Sequence, residues 1–136
     1  LEPIPGRSPL QIRREFGPGE GCVLMVTAAA IAGVRIEAPR QAVAGQSIPC
    51  GISVVDADGQ PLNAVVPLQV EISDPAGAEA EWSGFHGARD GRLQLHLAIA
   101  PNDRPGLWRI HARELASGRA AAAYFRVEPP AKPPLR

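Results

Sequence analysis

The chain has 136 residues, with 14 basic and 14 acidic side chains and no formal net charge, so no global field draws it to nucleic acid or to an anionic membrane. It is long enough for one domain with a substantial core and too short for two ordinary ones. Its 14 Gly and 15 Pro are spread along the sequence, which suits short strands joined by tight turns better than a helical protein.

Residues 1 to 21 carry Pro3, Pro5, Pro9 and Pro18 among several glycines and charges, which predicts an extended arm or connector. Only Leu10, Ile12 and Phe16 offer a trace of an apolar face there. Cys22 to Thr27 is a short apolar run with β-branched residues, a strand candidate, and Ala28 to Ala32 fits either a helical turn or its continuation. The longest apolar stretch, Cys22 to Val34, is too short to cross a bilayer and is broken at Gly33. No stretch of these residues reads as a signal peptide. A start at Leu1 and a Pro-rich end predict a piece of a larger protein. Residues 1–33 read as an N-terminal arm or the remnant of a preceding domain, 34–128 as the folded domain, and 129–136 as a tail.

From Gly33 the pattern is regular. Val34 and Ile36 alternate with Arg35 and Glu37, predicting a first strand closed by Pro39. Ile48, Cys50, Ile52 and Val54 then alternate with polar or small residues, as do Val66, Leu68, Val70 and Ile72. Period-2 alternation is what a half-buried antiparallel strand requires, because successive side chains leave opposite faces. The turn Asp56-Ala57-Asp58-Gly59-Gln60-Pro61 between the two runs predicts one hairpin from Gln46 to Asp74, around which the chain is organised.

Asp74-Pro75-Ala76-Gly77 reads as a further turn. Glu79 to Asp90 is expected to hold a strand around Ala80-Glu81-Trp82 and then a glycine-rich loop at Gly84, Gly87 and Gly91. Leu93, Leu95, Leu97 and Ile99 share one face of the next strand, and Gln94, His96 and Ala98 the other. Pro101 to Gly106 is a loop. Trp108 and Ile110 follow as inward residues, with Arg109 and His111 outward, and Ala121, Ala123, Phe125 and Val127 share a face in the last strand. Trp108 should plug the core. Pro129, Pro130, Pro133 and Pro134 end the domain, because consecutive prolines cannot donate to a ladder.

About six or seven strands spaced roughly ten to twelve residues apart predict an all-β, immunoglobulin-like antiparallel β-sandwich of about seven strands with an extended N-terminal segment. Residues 34 to 128 also resemble the macroglobulin-type and related immunoglobulin-like domains of large bacterial extracytoplasmic proteins. The matching phrases are Ala44-Gly45-Gln46, Val55 to Leu62, Val70 to Gly77, Pro105 to Ile110 and Phe125-Arg126-Val127. No thioester motif is present, and the family's bait-like segment has no counterpart. The resemblance implies a spacer or interaction domain outside the cytoplasm, with neighbouring domains as its first partners.

Chemistry-bearing residues are few. Asp56, Asp58, Asp74 and Asn63 invite a calcium reading, but the turn lacks the six to eight oxygens and terminal Glu that a calcium loop needs. Turn aspartates bond to their own backbone. His86, His96 and His111 lack metal-ligand spacing. His96 and His111 are expected as a solvent-side pair on neighbouring strands. No serine sits on a nucleophile elbow, so no catalytic residues, metal or cofactor are assigned. Cys22 and Cys50 form one bridge or neither. Aromatics gather only at Trp82-Ser83-Gly84-Phe85-His86-Gly87. Trp82, Phe85, His86, Arg89 and Asp90 are therefore the candidate ligand-binding residues, with rings to stack a sugar and polar groups to reach its hydroxyls. The expected function is a non-catalytic structural or protein-interaction module, and the alternative a carbohydrate-binding accessory domain of a glycoside-processing enzyme. The basic residues form no stripe, so no nucleic-acid partner is expected.

Overall fold

Alternating apolar residues form eight strands and no helix in the computed structural model, which describes residues 12–130. The prolines before residue 12 and Pro133 and Pro134 of the tail lie outside the described residues. The strands are β1 (Gly33–Glu37), β2 (Gln41–Val43), β3 (Ser47–Val55), β4 (Val66–Ser73), β5 (Gly84–Ala88), β6 (Arg92–Ala98), β7 (Gly106–Glu114) and β8 (Ala120–Glu128).

They make two sheets, a three-stranded one in the order β1-β3-β6 and a five-stranded one in the order β2-β8-β7-β4-β5. Every pairing is antiparallel except β2 with β8. This is an immunoglobulin-like sandwich, and its fifth strand joins the five-stranded sheet. The short β2, where no strand was expected, follows from Pro39. Proline cannot continue the β1 ladder, so the chain crosses to the edge of β8, where Arg40 O accepts from Arg126 N at 2.9 Å.

The inward faces interdigitate into one core. Cys50, Ile52, Val54, Leu68, Val70, Ile72, Leu97, Ile110 and Phe125 are buried, each on the register its alternation demands. Burying each large side chain contributes about 1.5–3 kcal/mol. Trp108 fills the space between the sheets as expected, with its ring 5.9 Å from Phe125.

Four local expectations are corrected. β3 and β4 are not a hairpin: they lie in opposite sheets. The turn between them closes on itself, with Asp56 Oδ1 accepting from Asp58 N at 3.0 Å and Gln60 N at 2.9 Å. Both sides of β3 are already taken by β1 and β6, so after Pro61 the chain crosses to the other sheet. In the second case, the strand near Trp82 is Gly84–Ala88, and residues 80–83 form the turn before it. The edge position of β5 tolerates glycine because only β4 pairs with it in the sheet.

In the third case, His96 and His111 are not neighbours. They sit on β6 and β7 of opposite sheets, because periodicity fixes which face a residue takes and not which strand lies alongside. Finally, Cys22 to Thr27 forms no strand. It has no ladder partner, although Met25, Ala29 and Ile31 pack against the core and Ala32 N donates to Val55 O at 2.8 Å.

Candidate functional site

The segment joining β4 to β5 is built from side-chain caps. Asp74 Oδ1 accepts from Ala76 N and Ala78 N, each at 2.8 Å. Ser83 Oγ accepts from Ile72 N at 2.9 Å, which ties the end of the segment to β4. Trp82 is thereby held against the core, its ring 6.2 Å from that of Trp108 and tilted 51° to it. Trp108 Nε1 donates to Arg104 O at 2.9 Å.

Together these form a cleft of about 300 Å³ at one end of the sandwich, lined by Asp74, Glu79, Glu81, Trp82, Asp103 and Trp108 among others. Asp103 is spoken for in part, because its Oδ2 accepts from Ala100 N at 2.7 Å. Arg104 Nε stands 3.9 Å from Asp74 Oδ2, an open ion pair of little energetic weight.

The five candidate residues do not converge on this cleft. Phe85 points outward from β5, opposite Gln69, and is 76% exposed. His86 points inward opposite Leu68 and is half-buried, and its Nε2 has no hydrogen-bond partner. Arg89 and Asp90 are exposed in the turn at the far end of β5, where Arg92 N donates to Arg89 O at 2.9 Å. A strand of five residues separates that turn from Trp82 by roughly 16 Å. The structure therefore brings Trp82 together with Asp74 and Asp103. The sequence offered Asp74 as a turn cap or a calcium ligand, and the loop holding Asp103 gave no sign of facing Trp82.

The remaining groups are placed just as plainly. Among the described residues, no three His, Cys, Asp or Glu side chains gather as a metal site. Glu71 stands 3.6 Å from His111 on the outer face of the five-stranded sheet. Cys22 and Cys50 are both free, the first exposed and the second buried. Burial pushes the Cys50 thiol up to about 11, so it stays protonated at neutral pH.

The chain's fold is shared by solved structures. It aligns with the superoxide reductase (neelaredoxin) of Ignicoccus hospitalis at a TM-score of 0.53 and 15% identity, covering 72% of this chain and 82% of the other. It aligns with the native conformation of E. coli alpha-2-macroglobulin at 0.55 and 12% identity, covering 71% of this chain and 10% of that one. A putative superoxide reductase of Thermotoga maritima gives 0.50 at 14% identity, with 70% and 85% covered. The chain thus spans about a tenth of the macroglobulin. No protein-family model matches the sequence, and no curated protein does. What these structures share with this chain is the immunoglobulin-like β-sandwich, a scaffold that carries unrelated functions.

Proposed function

We propose that this chain is a non-catalytic contact module of the bacterial macroglobulin type, one unit of a larger extracytoplasmic protein. The observation that carries the reading is the outer edge of β5. Gly84-Phe85-His86-Gly87-Ala88 ends the five-stranded sheet, and Phe85 is 76% and the neighbouring Val65 64% exposed. Edge strands are usually guarded by Lys, Pro or a bulge, because their free N–H and C=O groups template another strand. β5 carries no charged residue and no proline. A partner strand added there gains main-chain hydrogen bonds and covers both apolar side chains. The sandwich of E. coli alpha-2-macroglobulin supports the placement, since there a unit of this size belongs to a much longer chain.

A photo-cross-linking residue introduced at position 85 tests the reading in the native cell. A discrete adduct from position 85, with none from position 109 on the same face, is the expected result. Absence of any adduct from position 85 contradicts it.

The Trp82 cleft supports a second reading, a carbohydrate-binding accessory domain. An indole beside Asp74, Glu79 and Asp103 offers a stacking surface with acceptors for hydroxyl groups. Saturable Trp fluorescence changes with a neutral polysaccharide, lost in Trp82→Ala, are the expected signature. An unchanged spectrum across a polysaccharide panel disposes of it.

A further inference from the structure

The outer face of the three-stranded sheet holds a feature that neither β5 nor the Trp82 cleft uses. The register places Arg35, Ser53 and Arg92 in one cross-strand row, and Glu37, Gly51 and Gln94 in the next. Gly51 supplies no side chain at the centre of the second row, so a hollow of about 420 Å³ opens among Arg35, Glu37, Ser53, Gln60, Arg92 and Gln94. A methyl group at Gly51 would stand 3.4 Å from Gln94 Oε1 and begin to fill it.

Arg35 is fixed in place. Its Nη1 donates to Gly59 O at 3.2 Å, and the guanidinium lies so close to the turn that a Cβ at Gly59 would be 2.6 Å from Nη2. Arg92 faces it from a strand two places away, about 10 Å between backbones. Among the described residues neither guanidinium has a carboxylate partner, whereas Arg104 and His111 stand near Asp74 and Glu71. Two cations thus flank Ser53 in one row and face one hollow, with the Gln60 and Gln94 amides also on its wall. Guanidinium forks match a carboxylate in shape as well as in charge. Glu37 on the same wall repels a second negative charge and accepts from a hydroxyl.

We propose that this hollow binds a hydroxylated monocarboxylate, namely a uronic-acid sugar, with the carboxylate between Arg35 and Arg92 and the hydroxyls on Glu37 and Gln94. The site is independent of the contact reading above and survives or fails without it.

Glucuronate titrated into the labelled chain, followed by backbone amide NMR, tests the proposal. Saturable shifts are expected at Gly51, Ser53 and Gln94, with no matching shifts from glucose. Arg35→Gln and Arg92→Gln should each weaken binding about tenfold, and both are surface changes whose spectra report an intact fold. Three results overturn the site: no saturable shift, equal binding in either variant, or equal binding of glucose. Inorganic sulfate binding as tightly as glucuronate overturns the sugar assignment, because charge alone would then explain the affinity.

Discussion

Glu114 and Ser117 close the turn between β7 and β8 through a side-chain cap. The Glu114 carboxylate is fully buried, and it accepts from the Ser117 hydroxyl and from Ser117 N at 2.9 Å. Ala116 N at 2.9 Å and Arg119 N at 2.8 Å complete its shell. The side chain thus satisfies the inner N–H groups of the turn.

Burial alone would raise the pKa of Glu114, but the hydrogen bonds from Ser117, Arg119 and Ala116 outweigh it, and the carboxyl is held below its ordinary value. A group whose folded pKa is depressed stabilises the fold at pH values above its unfolded pKa, about 4.3 for glutamate. That contribution is lost as the pH falls from there through the folded value. Urea unfolding from pH 7 to pH 3 should show a decline that Glu114→Ala lacks. At pH 7 the variant should be less stable by about 1–3 kcal/mol, the cost of buried donors left unpaired.

Gly91 is wedged among backbone atoms. Its φ is +67°, and a Cβ there would stand 2.6 Å from Leu62 N, 2.7 Å from Leu62 O and 2.9 Å from Val54 O. Backbone cannot step aside as a flexible side chain can. Gly91→Ala should cost at least about 2 kcal/mol in denaturant unfolding. Gly33→Ala, where nothing lies within 4 Å of the new methyl, should change stability by less than about 1 kcal/mol.

Trp108 joins both aromatic contacts of the core, to Trp82 and to Phe125, and its indole N–H is bonded to Arg104 O. Trp108→Ala should cost about 3–5 kcal/mol. Trp108→Phe should lose less, and a cost equal to that of alanine would mean the hydrogen bond outweighs the packing.

Thiol accessibility separates the two cysteines. Cys22 is exposed and Cys50 buried with its pKa raised to about 11. A thiol reagent at pH 8 should label Cys22 alone in the folded protein and both cysteines in urea. Labelling of Cys50 at the rate of Cys22 would contradict its burial.

Much of the sandwich was legible in the sequence because each buried face is written in period 2. Ile48 to Val54, Val66 to Ile72, Leu93 to Ile99 and Phe125 to Val127 took the faces their spacing required. Pairing was less legible, because alternation is silent about neighbours. The Asp56 to Pro61 turn chemistry was real, yet its strands went to opposite sheets. β5 went unseen because its glycines carry no pattern, although Asp90-Gly91 is a strong reversal signal and both residues take positive φ, +49° and +67°. Trp82 and Asp103 meet only through the packing of two loops, which no local motif records.

The proposed protein contact runs through the open edge of β5. Hydrogen exchange at Gly84–Ala88 tests it most directly, measured on the isolated chain and on the same protein purified in its native assembly. The β5 amides should exchange quickly alone and gain protection in the assembly, while buried β3 and β7 stay protected in both. Equal exchange of β5 in the two states would contradict it.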